Sequence, residues 1–162
     1  MFSRHELSYC NPTLNVPALE GSLYMRFLYS LIYISRPTIQ AHSVEFLDIV
    51  RACIRNNPRH GITGFLYFDR RYFVQVLEGP QSEIVALCGS LRNDTRHTNM
   101  CILREQPINA RKYGVWDMAF CDGTGPNPLF GFTASDMALQ DAEHGHLAGL
   151  LGAIDAIVPV QA

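Results

Sequence analysis

Ile62-Thr63-Gly64-Phe65-Leu66-Tyr67-Phe68, then Asp69-Arg70-Arg71, then Tyr72-Phe73-Val74-Gln75-Val76-Leu77 is the stretch on which the architecture turns. Two runs rich in aromatic and β-branched residues flank a short polar break, which is the pattern of a β-hairpin. In the second run an uncharged amide, Gln75, interrupts side chains that all read as buried. A carboxamide carries one acceptor oxygen and two donor hydrogens, and leaving such groups unsatisfied in a core costs about 1–3 kcal/mol each. Gln75 therefore needs a polar partner, which is either a neighbouring backbone group or a ligand.

Upstream, Leu28 to Ile34 reads as a buried strand that ends before Ser35-Arg36-Pro37. The period then changes. Ser43 caps a helix running to Arg55, with Val44, Leu47, Val50 and Ile54 on one stripe and Phe46, Ile49 and Cys53 widening it. Asn56-Asn57-Pro58-Arg59-His60-Gly61 breaks that helix. Downstream, Gly79-Pro80 opens a second helix over Gln81 to Arg92, with Ile84, Leu87, Cys88 and Leu91 inward. Asn93 to His97 is its exit loop, Met100 to Glu105 a fourth strand, and Val115 to Phe120 a fifth. The order β-α-β-β-α-β-β predicts an α+β fold, a mixed five-stranded sheet with two helices on one face and right-handed crossovers.

The flanks read differently. Residues 1–24 hold Asn11-Pro12, Pro17 and Gly21 without a sustained period and are expected to form a loosely docked leader, with Met25 an alternative start. The folded unit then spans 25–121, and 122–162 form a C-terminal linker and helical extension. In that extension Leu147, Leu150, Leu151, Ile154, Ile157 and Val158 repeat at helical spacing. A sheet with helices on one face only needs cover on the other, so this stripe is expected to pack there. Its competing use is an oligomer or partner surface. No second catalytic or DNA-binding domain is expected after residue 121.

The chain of 162 residues suits one domain, and its net charge of −2 gives no general case for nucleic acid or an anionic membrane. No apolar run reaches the ~20 residues of a membrane span and no signal peptide opens the chain, so a cytoplasmic protein is expected. Cys10, Cys53, Cys88, Cys101 and Cys121 are widely spaced without a Cys-x-x-Cys pair and read as reduced thiols. His60, His97 and His144-Gly145-His146 lack further ligands at metal-binding spacing, and no metal is assigned.

Three polar features interrupt the apolar plan: Tyr33 in the first strand, Asn56-Asn57 after the first helix, and Gln75 in the third strand. In this topology the first and third strands can be neighbours, with the end of the first helix overhanging them, so the three can converge. The segments Leu31 to Ser35, Asn56 to Gly64, Phe73 to Gly79, Asp94 to His97 and Trp116 to Met118 together resemble BLUF domains, blue-light sensors that use flavin. The resemblance runs from about Leu28 to Phe120 in the family's order and spacing. It implies a ferredoxin-like fold with non-covalent FAD between the two helices.

Carried over by position, the resemblance makes Tyr33 the photoactive tyrosine and Gln75 the glutamine between that phenol and the flavin. Asn56 and Asn57 match the asparagines on the flavin's polar edge, where an amide can donate or accept. Ile49 and Phe73 would border the ring, while Asp94, Arg96 and His97 match the ribityl and phosphate side, with Arg55 and Arg59 further phosphate candidates. Trp116 and Met118 match the pair that relays the signal.

The implied function is photoreception without enzymatic activity: Tyr33 yields an electron and a proton, Gln75 carries the proton, and rearranged hydrogen bonds are the output. A separate protein, a cyclic-nucleotide enzyme or a transcriptional regulator, would read it, and a homo-oligomer is expected. The alternatives are a photochemically silent flavin-binding module and a small ferredoxin-like enzyme. Against the latter, Ser35-Arg36-Pro37-Thr38 lacks a Gly-rich phosphate loop and no nicotinamide fingerprint is present.

Overall fold

A computed structural model describes residues 28–40, 43–68, 72–114, 118–122, 151–152 and 154–156. Its elements are β1 (Leu28–Pro37), α1 (Val44–Asn56), a 3-10 turn (Pro58–His60), β2 (Thr63–Phe68), β3 (Phe73–Pro80), α2 (Gln81–Arg92), β4 (His97–Ile108) and β5 (Ala119–Asp122). The strands form one sheet in the order β4-β1-β3-β2-β5. The first four pair antiparallel, and β5 joins β2 in parallel. This is the mixed five-stranded α+β architecture expected from the hairpin and its flanking helices.

Side chains alternate across each strand, and the two faces build separate cores. Tyr29, Leu31 and Tyr33 of β1, Leu66 and Phe68 of β2, and Phe73 and Leu77 of β3 face the helices and meet Phe46, Ile84 and Cys88. Ile32, Phe65, Tyr67, Val74 and Val76 form the opposite face, where Tyr113, Leu151 and Ile154 cover them. Leu151 and Ile154 thus lie against the sheet surface that has no α1 or α2. Leu147, Leu150, Ile157 and Val158 of the expected stripe lie outside the described residues, as does the leader.

Three polar ties hold this C-terminal segment. Arg104 of β4 grips Asp155 through two hydrogen bonds of 2.8 and 2.6 Å. The Tyr113 hydroxyl donates to the Ile154 carbonyl at 2.9 Å, and the Lys112 ammonium donates to the Asp155 carbonyl. Asp155 is half exposed, so the ion pair contributes at most about 1 kcal/mol of global stability. Arg104→Ala is accordingly expected to leave the melting temperature nearly unchanged but to lower amide protection over 151–156. Hydrogen exchange measures this directly.

Several expectations are corrected. The inward face of α1 is Phe46, Ile49, Val50 and Cys53, whereas Val44, Leu47 and Ile54 are 68%, 42% and 55% exposed. Apolar residues occupy more than half of this helix's circumference, so periodicity leaves its rotation open. The large Phe46 ring settles it by packing 4.6 Å from the Phe68 ring centroid and 5.2 Å from that of Phe120. The α1 start is as expected, with the Ser43 hydroxyl accepting from the Phe46 N–H at 3.2 Å.

The fourth strand is twice as long as its apolar run suggests, and His97, expected in a loop, is its first residue. The fifth strand runs beyond Phe120 to Asp122. Residues 115–117, Trp116 among them, lie outside the described residues. Cys53 and Cys88 are free thiols. Cys101, expected to be reduced, is disulfide-bonded.

Candidate functional site

Tyr33 on β1 and Gln75 on β3 are direct Cα partners in an antiparallel pair, so their side chains emerge side by side on one face. The Tyr33 hydroxyl donates to Gln75 Oε1 at 2.7 Å, and both residues are buried, at 3% and 2% exposed. Burial, with the negative charge of Asp94 among lesser causes, holds the Tyr33 phenol well above its ordinary pKa. The phenol is therefore neutral and carries a proton directed at an amide oxygen.

The other end of that amide meets sulfur. Gln75 Nε2 lies 3.5 Å from Met118 Sδ and 3.9 Å from Cys53 Sγ. Both are weak acceptors, so the amide retains most of its donor capacity inside the core. Cys53, placed on the apolar stripe of α1 by its sequence, is thus a neighbour of Gln75. Its signal was its position four residues before Asn57, one helical turn away on the same side of α1.

His97 comes alongside. Its ring stacks 6.3 Å from that of Tyr33 and meets the Phe73 ring edge-on at the same distance. Burial is the main cause that lowers the His97 pKa; Asp94 opposes the shift and Arg96 adds to it. Neither ring nitrogen makes a well-formed hydrogen bond, the Leu91 backbone being at most a weak partner. A base whose folded pKa is depressed takes up its proton more readily in the unfolded chain, so acid destabilises the fold. Stability is expected to decline as pH falls below about 6.5. His97→Gln should flatten that limb between about pH 5 and 7 when thermal midpoints are measured across the range.

The approach to His97 is tied by hydrogen bonds between Asp94 and Arg96. Asp94 accepts from Arg96 Nε at 2.9 and 3.1 Å, from Arg96 Nη2 at 2.6 Å and from the Arg96 backbone N–H at 2.9 Å. The arginine in turn keeps the Asp94 carboxyl below the ordinary carboxylate range. The charges of Asp94 and Arg96 also act on Cys53 across the site.

The two asparagines separate. Asn57 is buried, donates its N–H to the Cys53 carbonyl at 3.0 Å and accepts from the Ile62 N–H at 2.8 Å. Its Nδ2 has no hydrogen-bond partner among the described residues. Asn56 is exposed, and its Oδ1 accepts from Arg55 Nε at 3.2 Å. Phe73 is buried against Phe68, and Ile49 is half-buried against the same core. Arg55 and Arg59 stand exposed. The structure therefore brings together Tyr33, Gln75, Phe73, His97, Met118 and Cys53, with Asn57 one turn beyond Cys53.

Spare polar capacity at a buried site indicates a ligand. The unpartnered Asn57 Nδ2, the His97 ring nitrogens and the sulfur-facing Gln75 amide are neutral groups that can donate or accept. They fit the polar edge of a flavin, which alternates acceptors with a donor. Both helices reach the core on this face of the sheet, α1 through Phe46 and α2 through Ile84 and Cys88. Among the described residues there is no cluster of metal-ligating side chains and no helix long and apolar enough to cross a membrane.

Comparisons with known proteins agree with this geometry. The family model described as sensors of blue-light using FAD matches residues 28–119. The photoactivated adenylate cyclase subunit beta of Euglena longa is 37% identical over 86 residues, which is 53% of this chain and 10% of that protein. The chain thus spans about a tenth of the curated relatives it matches. The dark-state structure of BlrB, a BLUF protein, superposes with a TM-score of 0.67 at 30% identity, covering 82% of this chain and 98% of that one. A bacterial light-regulated adenylyl cyclase gives 0.56 at 31% identity, over 59% of this chain and 28% of its own. From β1 to the start of β5, the chain belongs to the BLUF family, the sensors of blue light that use FAD.

Proposed function

We propose that Tyr33 and Gln75 are the light-responsive pair of this blue-light sensor and that the signal leaves through Met118, Trp116 and β5 to a separate output protein. The observation that carries this reading is the buried hydrogen bond of 2.7 Å from the Tyr33 hydroxyl to Gln75 Oε1. Asn57, Gln75 and His97 hold the FAD with their spare polar atoms, and Phe73 and Ile49 border it. Asn56, Asp94 and Arg96 serve its polar periphery, with Arg55 and Arg59 beside the phosphates.

When bound, FAD supplies absorption of blue light and, once excited, a strong oxidant. Everything else is done by the chain. Tyr33 loses an electron, which makes its hydroxyl strongly acidic, and the O–H bond breaks as Gln75 Oε1 takes the proton. The hydrogen bond between them already spans the transfer distance. When the electron returns, Tyr33 regains its proton and no net chemistry remains. Gln75 is left with its amide rearranged, and a different set of hydrogen bonds is the signal.

Met118 touches the amide and leads directly into β5, a four-residue strand at the sheet edge that among the described residues pairs with β2 alone. Such an element lies at the low-stability end of a fold and suits a two-state response. The names of the relatives, adenylate cyclases regulated by light, support a cyclic-nucleotide enzyme as the output partner, with a transcriptional regulator the other candidate. The chain itself is a cytoplasmic sensor without catalytic activity, acting as a homo-oligomer. Its flavin-binding unit runs from 25 to the end of β5 at Asp122, between a leader (1–24) and a C-terminal extension (123–162).

The test is the absorption spectrum of the purified protein before and after blue illumination. A flavin spectrum with a modest, reversible red shift is expected. A colourless protein that fails to take up added FAD would sink the reading.

A further inference from the structure

Gln75 has two sulfur neighbours that are not equivalent. In the structure its Nε2 donates towards Met118 Sδ at 3.5 Å and Cys53 Sγ at 3.9 Å, while its Oε1 is held by the Tyr33 hydroxyl. If the amide turns over, Oε1 faces the sulfurs and Nε2 faces the phenol. A thioether has no hydrogen to give, whereas a thiol does. Of the two, only Cys53 can satisfy the rotated amide oxygen.

We propose that Cys53 is a positioning residue that exchanges roles with light, accepting from Gln75 Nε2 in the dark and donating its S–H to Gln75 Oε1 in the lit state, and so sets how long the lit state lasts. The inference rests on the proposed light response of Gln75 and deepens it. Burial raises the Cys53 thiol pKa to about 11, so it retains its hydrogen at neutral pH. Cys53 reaches Gln75 from the inward face of α1, and its carbonyl accepts the N–H of Asn57 at 3.0 Å. The same residue therefore touches the amide through its thiol and the helix end that carries a candidate flavin ligand through its backbone carbonyl. No bond other than hydrogen bonds forms or breaks at Cys53, and no oxidant is required.

The test has two arms, both on the full chain with FAD bound. In the wild type, infrared difference spectra should show the cysteine S–H stretch moving to lower frequency on illumination, and the moving band should vanish in Cys53→Ala. The second arm follows dark recovery after a blue pulse. Cys53→Ala should keep the red shift but recover about five-fold faster, equivalent to about 1 kcal/mol at 1.4 kcal/mol per factor of ten. Cys53→Ser, which retains a donor, should recover within about two-fold of wild type. An S–H band indifferent to light overturns the proposal. So does a Cys53→Ala protein that recovers like wild type, or a Cys53→Ser protein that behaves like Cys53→Ala. Those outcomes leave the red shift intact. A wild-type protein with no red shift would instead overturn the light response of Gln75, and this inference with it.

Discussion

Tyr33→Phe is expected to keep bound flavin and lose the reversible red shift entirely. The ring volume is preserved in a buried site, so packing against His97 and the helix-facing core survives. The hydroxyl is what disappears, and with it the donor to Gln75 Oε1 at 2.7 Å. Leaving that buried acceptor unpaired costs about 1–3 kcal/mol, which the fold should tolerate with a lowered melting temperature. Without a phenolic proton there is nothing to pass to the amide, and the rearrangement has no trigger. Tyr29 provides the control, because it lies on the same face of β1 four residues earlier, opposite Gly79 rather than Gln75. Tyr29→Phe should shift as wild type does. A wild-type red shift in Tyr33→Phe would refute the role assigned to Tyr33, whatever the flavin content.

The difference between these two tyrosines was only partly legible in the sequence. Local pattern identified the β2–β3 hairpin, both helices and the buried character of Tyr33 and Gln75, because apolar runs bounded by Gly, Pro and Asn report burial. It did not contain the register that sets Tyr33 against Gln75. That register is a long-range choice, and a one-residue slip would turn Gln75 to the opposite face. The edge strand β4 was cut short for a related reason. The ends that were missed, His97-Thr98-Asn99 and Gln106-Pro107-Ile108, are mostly polar and include a proline, which an edge tolerates and a central strand does not. The rotation of α1 depended on where Phe46 found its aromatic neighbours. The separation of Asn56 from Asn57 depended on the residue at which that helix stops. The approach of Cys53 to Gln75 follows from both, so the sequence placed it only as an apolar helix position.

Gly64→Ala is expected to be the most damaging single-methyl change in the sheet. Gly64 has φ +141°, a conformation L side chains rarely adopt, and an added Cβ would overlap the Val76 carbonyl oxygen and stand 2.9 Å from its carbon. Those atoms are β3 backbone, directly after Gln75, and cannot turn aside as a side-chain tip would. Relief requires β2 to move off β3, which breaks a ladder with Phe65 and Leu66 in its buried centre. Backbone strain of about 1–3 kcal/mol and overpacking of about 1–3 kcal/mol together predict a loss on the order of 10 °C or more in melting temperature. Gly89, in the middle of α2 with nothing near its virtual Cβ, is the matched control. There the same substitution should stabilise by up to about 1 kcal/mol. If both variants melt like wild type, β2 does not approach β3 this closely. If Gly64→Ala folds at low temperature with a displaced β2, the strand that β5 pairs with has moved and Gln75 has lost its neighbour in register, Leu66. The light-induced shift should then weaken along with stability, because the ladder that supports the fold also fixes the amide between Tyr33 and Met118.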